Sequence, residues 1–333
     1  MERKFYALVA RKQEDGSCTR AIEERGTADL PPGEVLIRVH YSSLNYKDAL
    51  SANGNTGITK HYPHTPGIDA AGVVAESSDP DFRAGEEVIC TGYDLGMNTA
   101  GGMGQYIRVP AAWVVRRPEG LSLLEAMRYG TAGFTAALSV LALRDNGVLP
   151  ESGEVLVSGA TGGVGSVAVH LLSRLGHPVT ALSGKPEAEP YLRDLGATAV
   201  LSRQELLANP EKLLLPSRWA GALDTVGGPI LAAAIKGTRM DGVITCCGNA
   251  ASEDLPLNVY PFILRGVRLI GIYAANCAMD RRLRVWRKLA EWQLPKMAEL
   301  SRIVPLAQVP EEMAAMLAGK SKGRVVVDMR EPK

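Results

Sequence analysis

Short apolar runs separated by turn-forming residues dominate the first third of the chain. Residues 5–10, 35–39, 72–75 and 87–90 are apolar or β-branched segments of strand length. Glycine-rich stretches such as residues 100–104 lie between them, and little of this region has a helical pattern. Many short strands with few helices are typical of a β-barrel-like domain, which we expect here.

From about residue 121 the pattern becomes an alternation of strands and helices. Ser122 and Glu125 have the spacing of a capping box for a helix from Leu123, and a second helix is predicted over about 133–143. Strands separated by helical segments are predicted at 155–157, 179–182, 199–201, 221–224, 243–246 and 267–271. This alternation predicts a doubly wound parallel sheet with helices on both faces. Near Ala275 the pattern changes again.

The clearest local motif follows the strand at 155–157, where Gly159, Gly162 and Gly165 lead into an amphipathic helix. Glycines permit a tight turn and close approach of the backbone to a pyrophosphate, and a helix N-terminus provides free N–H donors. A tight turn without a ligand is the alternative. The complete strand–turn–helix context favours a dinucleotide site.

The end of the second strand indicates which dinucleotide is bound. An NAD site usually has an acidic residue here for the ribose 2′-hydroxyl, whereas this chain has Ser183, Gly184 and Lys185. Arg203 follows the next strand as another candidate for a 2′-phosphate. Lys185 and Arg203 could each be a solvated loop charge, but the two bases and the missing acid together favour NADPH.

Composition restricts the possible functions. With 333 residues, 46% hydrophobic and 22% charged, the chain is expected to form two globular domains. Its net charge of +1 argues against nucleic acid or an acidic membrane surface as the main partner. No stretch is apolar enough for a bilayer span. Five irregularly spaced cysteines suggest reduced thiols and a cytoplasmic location.

Several motifs in order along nearly the whole chain support a resemblance to a known family. They are residues 42–50, 66–72, 130–136, the glycine turn and residues 261–267. The chain resembles the acryloyl-CoA reductase branch of the medium-chain dehydrogenase/reductase superfamily, often called quinone oxidoreductases. The resemblance implies an α/β protein in which a discontinuous GroES-like β-barrel catalytic domain, residues 1–122 and 275–333, surrounds a Rossmann NADP-binding domain, residues 123–274.

The resemblance also implies an activity. A small-molecule substrate, acryloyl-CoA, would be reduced by NADPH to propanoyl-CoA, and two copies would pair as a homodimer through the edge strand near 267–270. Zinc-dependent relatives have a cysteine near Asn45 and Gly-His-Glu where this chain has Gly-Ile-Asp at 67–69, so no metal is expected. A quinone or enone reductase is one alternative, and a non-catalytic NADPH-binding sensor is another.

Site residues follow from the same resemblance. Asn45 and Tyr46, after a strand expected to end at the active cleft, are the catalytic candidates; a structural role is the alternative for Tyr46. Arg324 is assigned either to the substrate or to the surface. Asp48 is expected to orient neighbours or cap a helix, and Asp69 to stabilise its turn. The cofactor contacts are Tyr46, Thr161, Gly162, Gly163, Val164, Ser183, Gly184, Lys185, Arg203, Asn249, Ile263 and Ala274.

Overall fold

The computed structural model describes residues 2–331, which divide into two compact units. The first unit comprises the residues up to Thr131, the segment Ala275–Glu291 and the residues from Met297 onward. The second unit comprises Ala132–Ala274 and Trp292–Lys296. The first unit is therefore discontinuous in sequence.

Strands occupy much of both units. In chain order they are β1 (Lys4–Lys12), β2 (Cys18–Gly26), β3 (Val35–Ser43), β4 (Asp69–Ser77), β5 (Glu87–Thr91), β6 (Tyr106–Val109), β7 (Val114–Arg116), β8 (Val155–Val157), β9 (Val179–Ser183), β10 (Ala199–Ser202), β11 (Trp219–Asp224), β12 (Thr238–Cys246), β13 (Arg268–Gly271), β14 (Ser301–Pro305) and β15 (Arg324–Asp328).

Helices lie mostly between the strands of the second unit. They are α1 (Tyr46–Ala52), α2 (Leu123–Asp145), α3 (Gly163–Arg174), α4 (Glu189–Asp194), α5 (Arg203–Leu206), α6 (Gly228–Lys236), α7 (Tyr260–Arg265), α8 (Met279–Trp292) and α9 (Val309–Leu317). None of the helices within residues 2–331 combines the length and the apolar character needed to cross a lipid bilayer.

The main sheet of the first unit has the strand order β14-β15-β3-β4-β5-β7, with β6 also pairing with β3. Apart from the parallel pair β14–β15, its neighbouring strands are antiparallel. The fully buried side chains of Leu8, Ile37 and Ile107 belong to its core. Each such side chain stabilises the fold by about 1.5–3 kcal/mol. These strands confirm the predicted strand-rich domain.

The second unit contains a parallel sheet with the order β10-β9-β8-β11-β12-β13. This is the doubly wound order, in which the chain moves outward from β8 in one direction and then returns to continue from β11 in the other. The inner strands β8, β9 and β11 are buried on both faces, and Val155–Val157 is inaccessible along its whole length. Both the order and the burial confirm the predicted Rossmann sheet.

Helix α2 is interrupted at Gly130, whose φ of 51° and ψ of −157° are not helical. The break lies between the two helices predicted from the sequence. A side chain at this position would collide with Oγ of Ser43 and would lie 2.6 Å from Oδ2 of Asp69. At the start of the helix, Glu125 accepts a hydrogen bond from the Ser122 backbone N–H at 2.7 Å, which confirms the capping box.

Candidate functional site

The glycine turn lies at the point where the strand order of the parallel sheet reverses. This turn follows β8, and β8 and β11 are the neighbouring strands from which the chain continues in opposite directions. In open α/β sheets, ligands bind beyond the carboxyl ends of the strands at such a switch point. The sequence-predicted residues Thr161, Gly162, Gly163 and Val164 occupy the turn and the first residues of α3.

The three glycines of the turn differ in whether the fold requires glycine at their positions. Gly159 has a φ of 58°, and a Cβ there would collide with Oγ1 of Thr225. A Cβ at Gly165 would collide with the carbonyl oxygen of Gly159 and lie 2.8 Å from Cα of Ala160. Gly162, by contrast, has an ordinary φ of −77° and is exposed. The fold itself therefore requires glycine at 159 and 165 but not at 162.

The N-terminus of α3 has the character of an anion site. Gly162 is its N-cap and offers no side chain to the free backbone N–H groups of the first turn. These groups and the positive end of the helix dipole suit a phosphate. Because a Cβ at Gly162 would meet the Gly159 carbonyl oxygen at 3.3 Å and nothing closer, the turn leaves open space beside these donors. The residues present thus fit a pyrophosphate.

The structure brings together the residues predicted to recognise a 2′-phosphate. Ser183 ends β9, and its Oγ accepts a hydrogen bond from the backbone N–H of Lys185 at 3.0 Å. The guanidinium of Arg203 packs on Gly184, where a Cβ would lie 2.8 Å from Nε. A larger residue at 184 would displace Arg203. Two cationic side chains therefore lie at the end of β9.

The remaining cofactor candidates follow later strands of the same sheet. Asn249 comes after β12 and is exposed, with its Cα within 3.3 Å of the Cβ position of Gly227. Ile263 lies on α7 and is 67% exposed, so its side chain is accessible to a ligand. Ala274 follows β13 and is half-buried.

A buried polar network in the first unit is centred on Asp69. This side chain is fully inaccessible, and its two oxygens accept four hydrogen bonds. The donors are Ser43 Oγ at 2.5 Å, Asn45 Nδ2 at 2.7 Å, Thr131 N at 2.9 Å and Thr131 Oγ1 at 2.6 Å. The prediction that Asp69 stabilises its own turn was wrong, because its partners come from β3, from the start of α1 and from the interrupted helix α2.

Arg324, at the start of β15, belongs to this network. It is 3% exposed, so the surface alternative was wrong. Its Nη2 donates to Ser43 Oγ at 2.8 Å and lies 4.0 Å from Oδ2 of Asp69. The other donors of the guanidinium bond Asn45 Oδ1, Leu44 O and Arg128 O, each at 3.3 Å. The donors of Arg324 are directed to internal acceptors, so the side chain serves the network, and its assignment to the substrate stays a prediction.

Asp48 is a second buried carboxyl group close to this network. Its Oδ2 accepts from the backbone N–H of Asn45 at 2.7 Å and its Oδ1 from that of Ile68 at 2.8 Å. The first contact confirms the expected capping role at the N-terminus of α1. Burial, and after it the charge of Asp69, raises the pKa of Asp48 to about 7. The pKa of the Arg324 guanidinium is lowered by burial, and the charges of Asp69 and Asp48 offset only part of that shift.

The two catalytic candidates differ in their surroundings. Asn45 is buried, and its amide bonds Asp69, the Ser43 carbonyl and Arg324. Tyr46, the first residue of α1, is 54% exposed, and its hydroxyl bonds no partner among residues 2–331. Asn45 is thus available for positioning and Tyr46 for contact with a ligand. Sequence reasoning did not identify Ser43 and Thr131, since their roles arise from contacts between distant segments.

No metal centre accompanies these sites in the part of the chain that the structure describes. There, no three side chains of histidine, cysteine, aspartate or glutamate are grouped as potential metal ligands.

Two family models match the chain, each within a different part of it. The model described as "Alcohol dehydrogenase GroES-like domain" matches residues 31–119, and the one described as "Zinc-binding dehydrogenase" matches residues 163–292. The second match covers the glycine-turn helix and the strands that follow it. The first match lies within the first unit, and most of the second match lies within the second unit.

Relatives that match along nearly the whole chain define the family more narrowly than these models do. YhfP of Bacillus subtilis, which bears the name quinone oxidoreductase, is 44% identical over 99% of this chain and 100% of its own. Acrylyl-CoA reductase AcuI of Ruegeria pomeroyi is 42% identical over 98% of this chain and 99% of its own.

Solved structures agree with these relatives. The yhdH oxidoreductase of Salmonella enterica in complex with NADP has a TM-score of 0.94 at 42% identity, covering 99% of this chain and 100% of that one. The yhfP protein of B. subtilis with NAD bound has a TM-score of 0.95 at 43% identity, covering 98% and 99%. Likeness at this level over nearly the whole chain shows that the protein belongs to the quinone oxidoreductase and acrylyl-CoA reductase family of the medium-chain dehydrogenases/reductases.

Proposed function

We propose that this protein is an NADPH-dependent reductase of an α,β-unsaturated thioester, with acryloyl-CoA as substrate and propanoyl-CoA as product. The observation that carries the proposal is 42% identity to an acrylyl-CoA reductase along 98% of the chain. The open turn before α3 supports it, because the turn fits a pyrophosphate. The proposed catalytic domain comprises residues 1–122 and 275–333, and the proposed NADP-binding domain comprises 123–274.

The proposed contacts to NADPH follow the parallel sheet. The turn residues Thr161, Gly162, Gly163 and Val164 would hold the pyrophosphate, and the group of Ser183, Gly184, Lys185 and Arg203 would hold the 2′-phosphate. Asn249, Ile263 and Ala274 would lie along the nicotinamide half, with Tyr46 as a further contact. NADPH, when bound, supplies a hydride for the β-carbon of the substrate.

The first unit would contribute a proton and rigid positioning. Reduction at the β-carbon leaves the α-carbon to be protonated, and the hydroxyl of the exposed Tyr46 is our candidate donor. Asn45 precedes Tyr46 directly, and its amide is fixed by Asp69 and Arg324. We therefore assign Asn45 to positioning the first turn of α1, and Tyr46 to contact with the substrate or cofactor.

The direct test follows NADPH consumption at 340 nm with acryloyl-CoA and, separately, with 1,4-benzoquinone. We expect turnover of acryloyl-CoA with NADPH, and a Tyr46→Phe variant with a lower kcat. Turnover confined to the quinone would support the second candidate, a quinone reductase, which the 44% identity to YhfP favours. Cofactor binding without turnover of either acceptor would contradict both.

Homodimer formation is part of the proposal. Strand β13 is at the end of the strand order in the parallel sheet, and exposed apolar side chains lie on it and on the neighbouring segments. They include Val259, Tyr260, Leu264, Leu269 and Tyr273. Edge strands pair readily with another chain. We expect a dimer by sedimentation velocity, and a Leu269→Lys variant that is monomeric; a wild-type monomer would contradict this.

A cytoplasmic location is also proposed. The five cysteines, Cys18, Cys90, Cys246, Cys247 and Cys277, are all free thiols, which suits a reducing compartment.

A further inference from the structure

A buried carboxylate stands at the switch point of the parallel sheet, and the chemistry proposed above does not use it. Asp224 is the last residue of β11 and is 1% exposed. Ser158, the first residue after β8, is 2% exposed and lies beside it. The two residues therefore mark the ends of the two strands between which the sheet order reverses.

Asp224 connects three segments of the chain. Its Oδ1 accepts a hydrogen bond from Oγ of Ser158 at 2.6 Å, and its Oδ2 accepts one from the backbone N–H of Gly227 at 2.8 Å. Its carbonyl oxygen accepts from the N–H of Cys247 at 3.0 Å. The exit of β8, the loop after β11 and the end of β12 are thus held by one residue.

Thr225 extends these contacts to the glycine turn. Its backbone N–H donates to Oγ of Ser158 at 2.9 Å, and its Oγ1 donates to the Ser158 carbonyl oxygen at 3.0 Å. Oγ1 of Thr225 is also the atom that fills the space beside Gly159, the first glycine of the turn. The path of the chain from β8 into the turn is therefore set by the Ser158, Asp224 and Thr225 side chains.

Burying a carboxylate is costly unless hydrogen bonds compensate for lost hydration. At the end of an inner strand an apolar residue would pack at lower cost. Polar groups that break such a local rule are expected at functional positions. Since Oδ1 of Asp224 accepts its hydrogen bond from Ser158 at the exit of β8, we expect the buried carboxylate to support the glycine turn.

We propose that Asp224, Ser158 and Thr225 form a clamp that positions the glycine turn for the cofactor pyrophosphate. The clamp would act before binding, by holding the free N–H groups of the α3 N-terminus in place. This inference rests on the proposed function, because it requires that NADPH binds at the turn. The three residues are positioning residues, as their polar atoms bond one another and the backbone.

The test compares variants of the full chain by their dissociation constants for NADPH, measured by calorimetric titration. In Asp224→Asn one acceptor oxygen becomes an NH₂ group, so either the Ser158 hydroxyl loses the acceptor for its proton or the Gly227 N–H loses its partner. We expect the dissociation constant to rise about tenfold in Asp224→Asn and in Ser158→Ala, the cost of one unpaired buried group. Because Ser158→Ala removes only a hydroxyl, it tests the clamp even if Asp224→Asn does not fold.

A threonine series provides matched controls. Thr225→Val should weaken NADPH binding severalfold, and Thr225→Ser, which keeps the hydroxyl, should restore most of the affinity. Thr198→Val removes a similar hydrogen bond, from Oγ1 to the Val179 carbonyl oxygen at 2.9 Å, away from the turn. It should leave NADPH affinity unchanged.

Kinetics separate positioning from general structural damage. We expect the KM for NADPH to rise in the clamp variants much more than kcat falls, with the ratio of NADPH to NADH affinity preserved. Folded clamp variants with wild-type affinity, or a loss of kcat alone, would overturn the clamp while leaving the proposed function intact. Failure of the wild type to bind NADPH would overturn both.

Discussion

The two polar sites of this protein are built in opposite ways. The glycine turn of the second unit offers backbone N–H groups from one short stretch of chain, residues 159–165. The Asp69 network of the first unit consists of side chains that are distant in sequence. It joins Ser43, Asn45, Asp69, Thr131 and Arg324.

This difference determines how each site tolerates change. The glycine turn binds through backbone N–H groups that no Cβ atom obstructs. Adding a methyl group, as a glycine-to-alanine change does, should therefore damage it most. A buried side-chain network depends on every donor having its acceptor, so removing one carboxylate should damage it most.

Replacing Asp69 with alanine should produce the largest loss of stability. The change removes four hydrogen bonds and leaves the buried Arg324 guanidinium without its nearest carboxylate. Removing one member of a buried charge pair costs about 3–5 kcal/mol. The measurement is urea denaturation followed by circular dichroism.

The matched control is Asp328→Ala, which breaks a more exposed ion pair with Arg330. Such pairs contribute about 0–1 kcal/mol. Equal losses in the Asp69 and Asp328 variants would show that the network adds nothing beyond a surface ion pair.

A pair of glycine variants should separate folding from binding in the turn. A Cβ at Gly165 collides with backbone, so Gly165→Ala should cost about 3 kcal/mol of unfolding free energy. Gly162→Ala fits the folded chain with one contact of 3.3 Å. We expect it to keep the wild-type melting temperature and to bind NADPH at least tenfold more weakly. Wild-type affinity for NADPH in this variant would contradict binding of the pyrophosphate at this turn.

Asp48 should make the stability depend on pH. Its pKa is about 7 in the folded protein against an ordinary value of 3.8. The stabilisation from the protonated carboxyl is fully present below about pH 4 and is lost as the pH rises through 7. Relative to Asp48→Asn, the wild type should therefore lose about 2 kcal/mol between pH 5 and 7. A constant difference between the two proteins across this range would exclude a raised pKa.

Removing Lys185, one of the two cations at the end of β9, should have the smallest effect. Lys185→Ala should weaken NADPH binding about tenfold at low ionic strength and leave NADH binding within about twofold, since only NADPH has the 2′-phosphate. Arg193→Ala, a control that breaks an exposed pair with Glu189, should change neither affinity. Equal losses of affinity for NADPH and NADH would contradict a contact between Lys185 and the 2′-phosphate.

The two sites also differ in how far the sequence predicts them. The strand, three glycines and amphipathic helix lie within one contiguous stretch, so their pattern alone predicts the turn. The capping box at Ser122 and Glu125 is local and was confirmed as well. By contrast, nothing near Asp69 in the sequence indicates that Thr131 and Arg324 will reach it.

Gly130 illustrates why such a network escapes prediction. As a glycine between two helical patterns it suggests a break in the helix, and the break is present. The role of this break is apparent only from the structure. There the N–H of Thr131, the next residue, donates a hydrogen bond to Asp69. Arg324 likewise has the sequence context of an ordinary strand start, although its side chain is buried.

The most direct test of the proposed reaction follows the transferred hydrogen. NADPH deuterated at nicotinamide C4, on one face and then on the other, is incubated with acryloyl-CoA and the full chain, and the product is examined by mass spectrometry and NMR. We predict that deuterium from one of the two faces reaches the β-carbon of propanoyl-CoA, and that the hydrogen added at the α-carbon comes from solvent. Oxidation of NADPH with no deuterium in the thioester would contradict a thioester reductase.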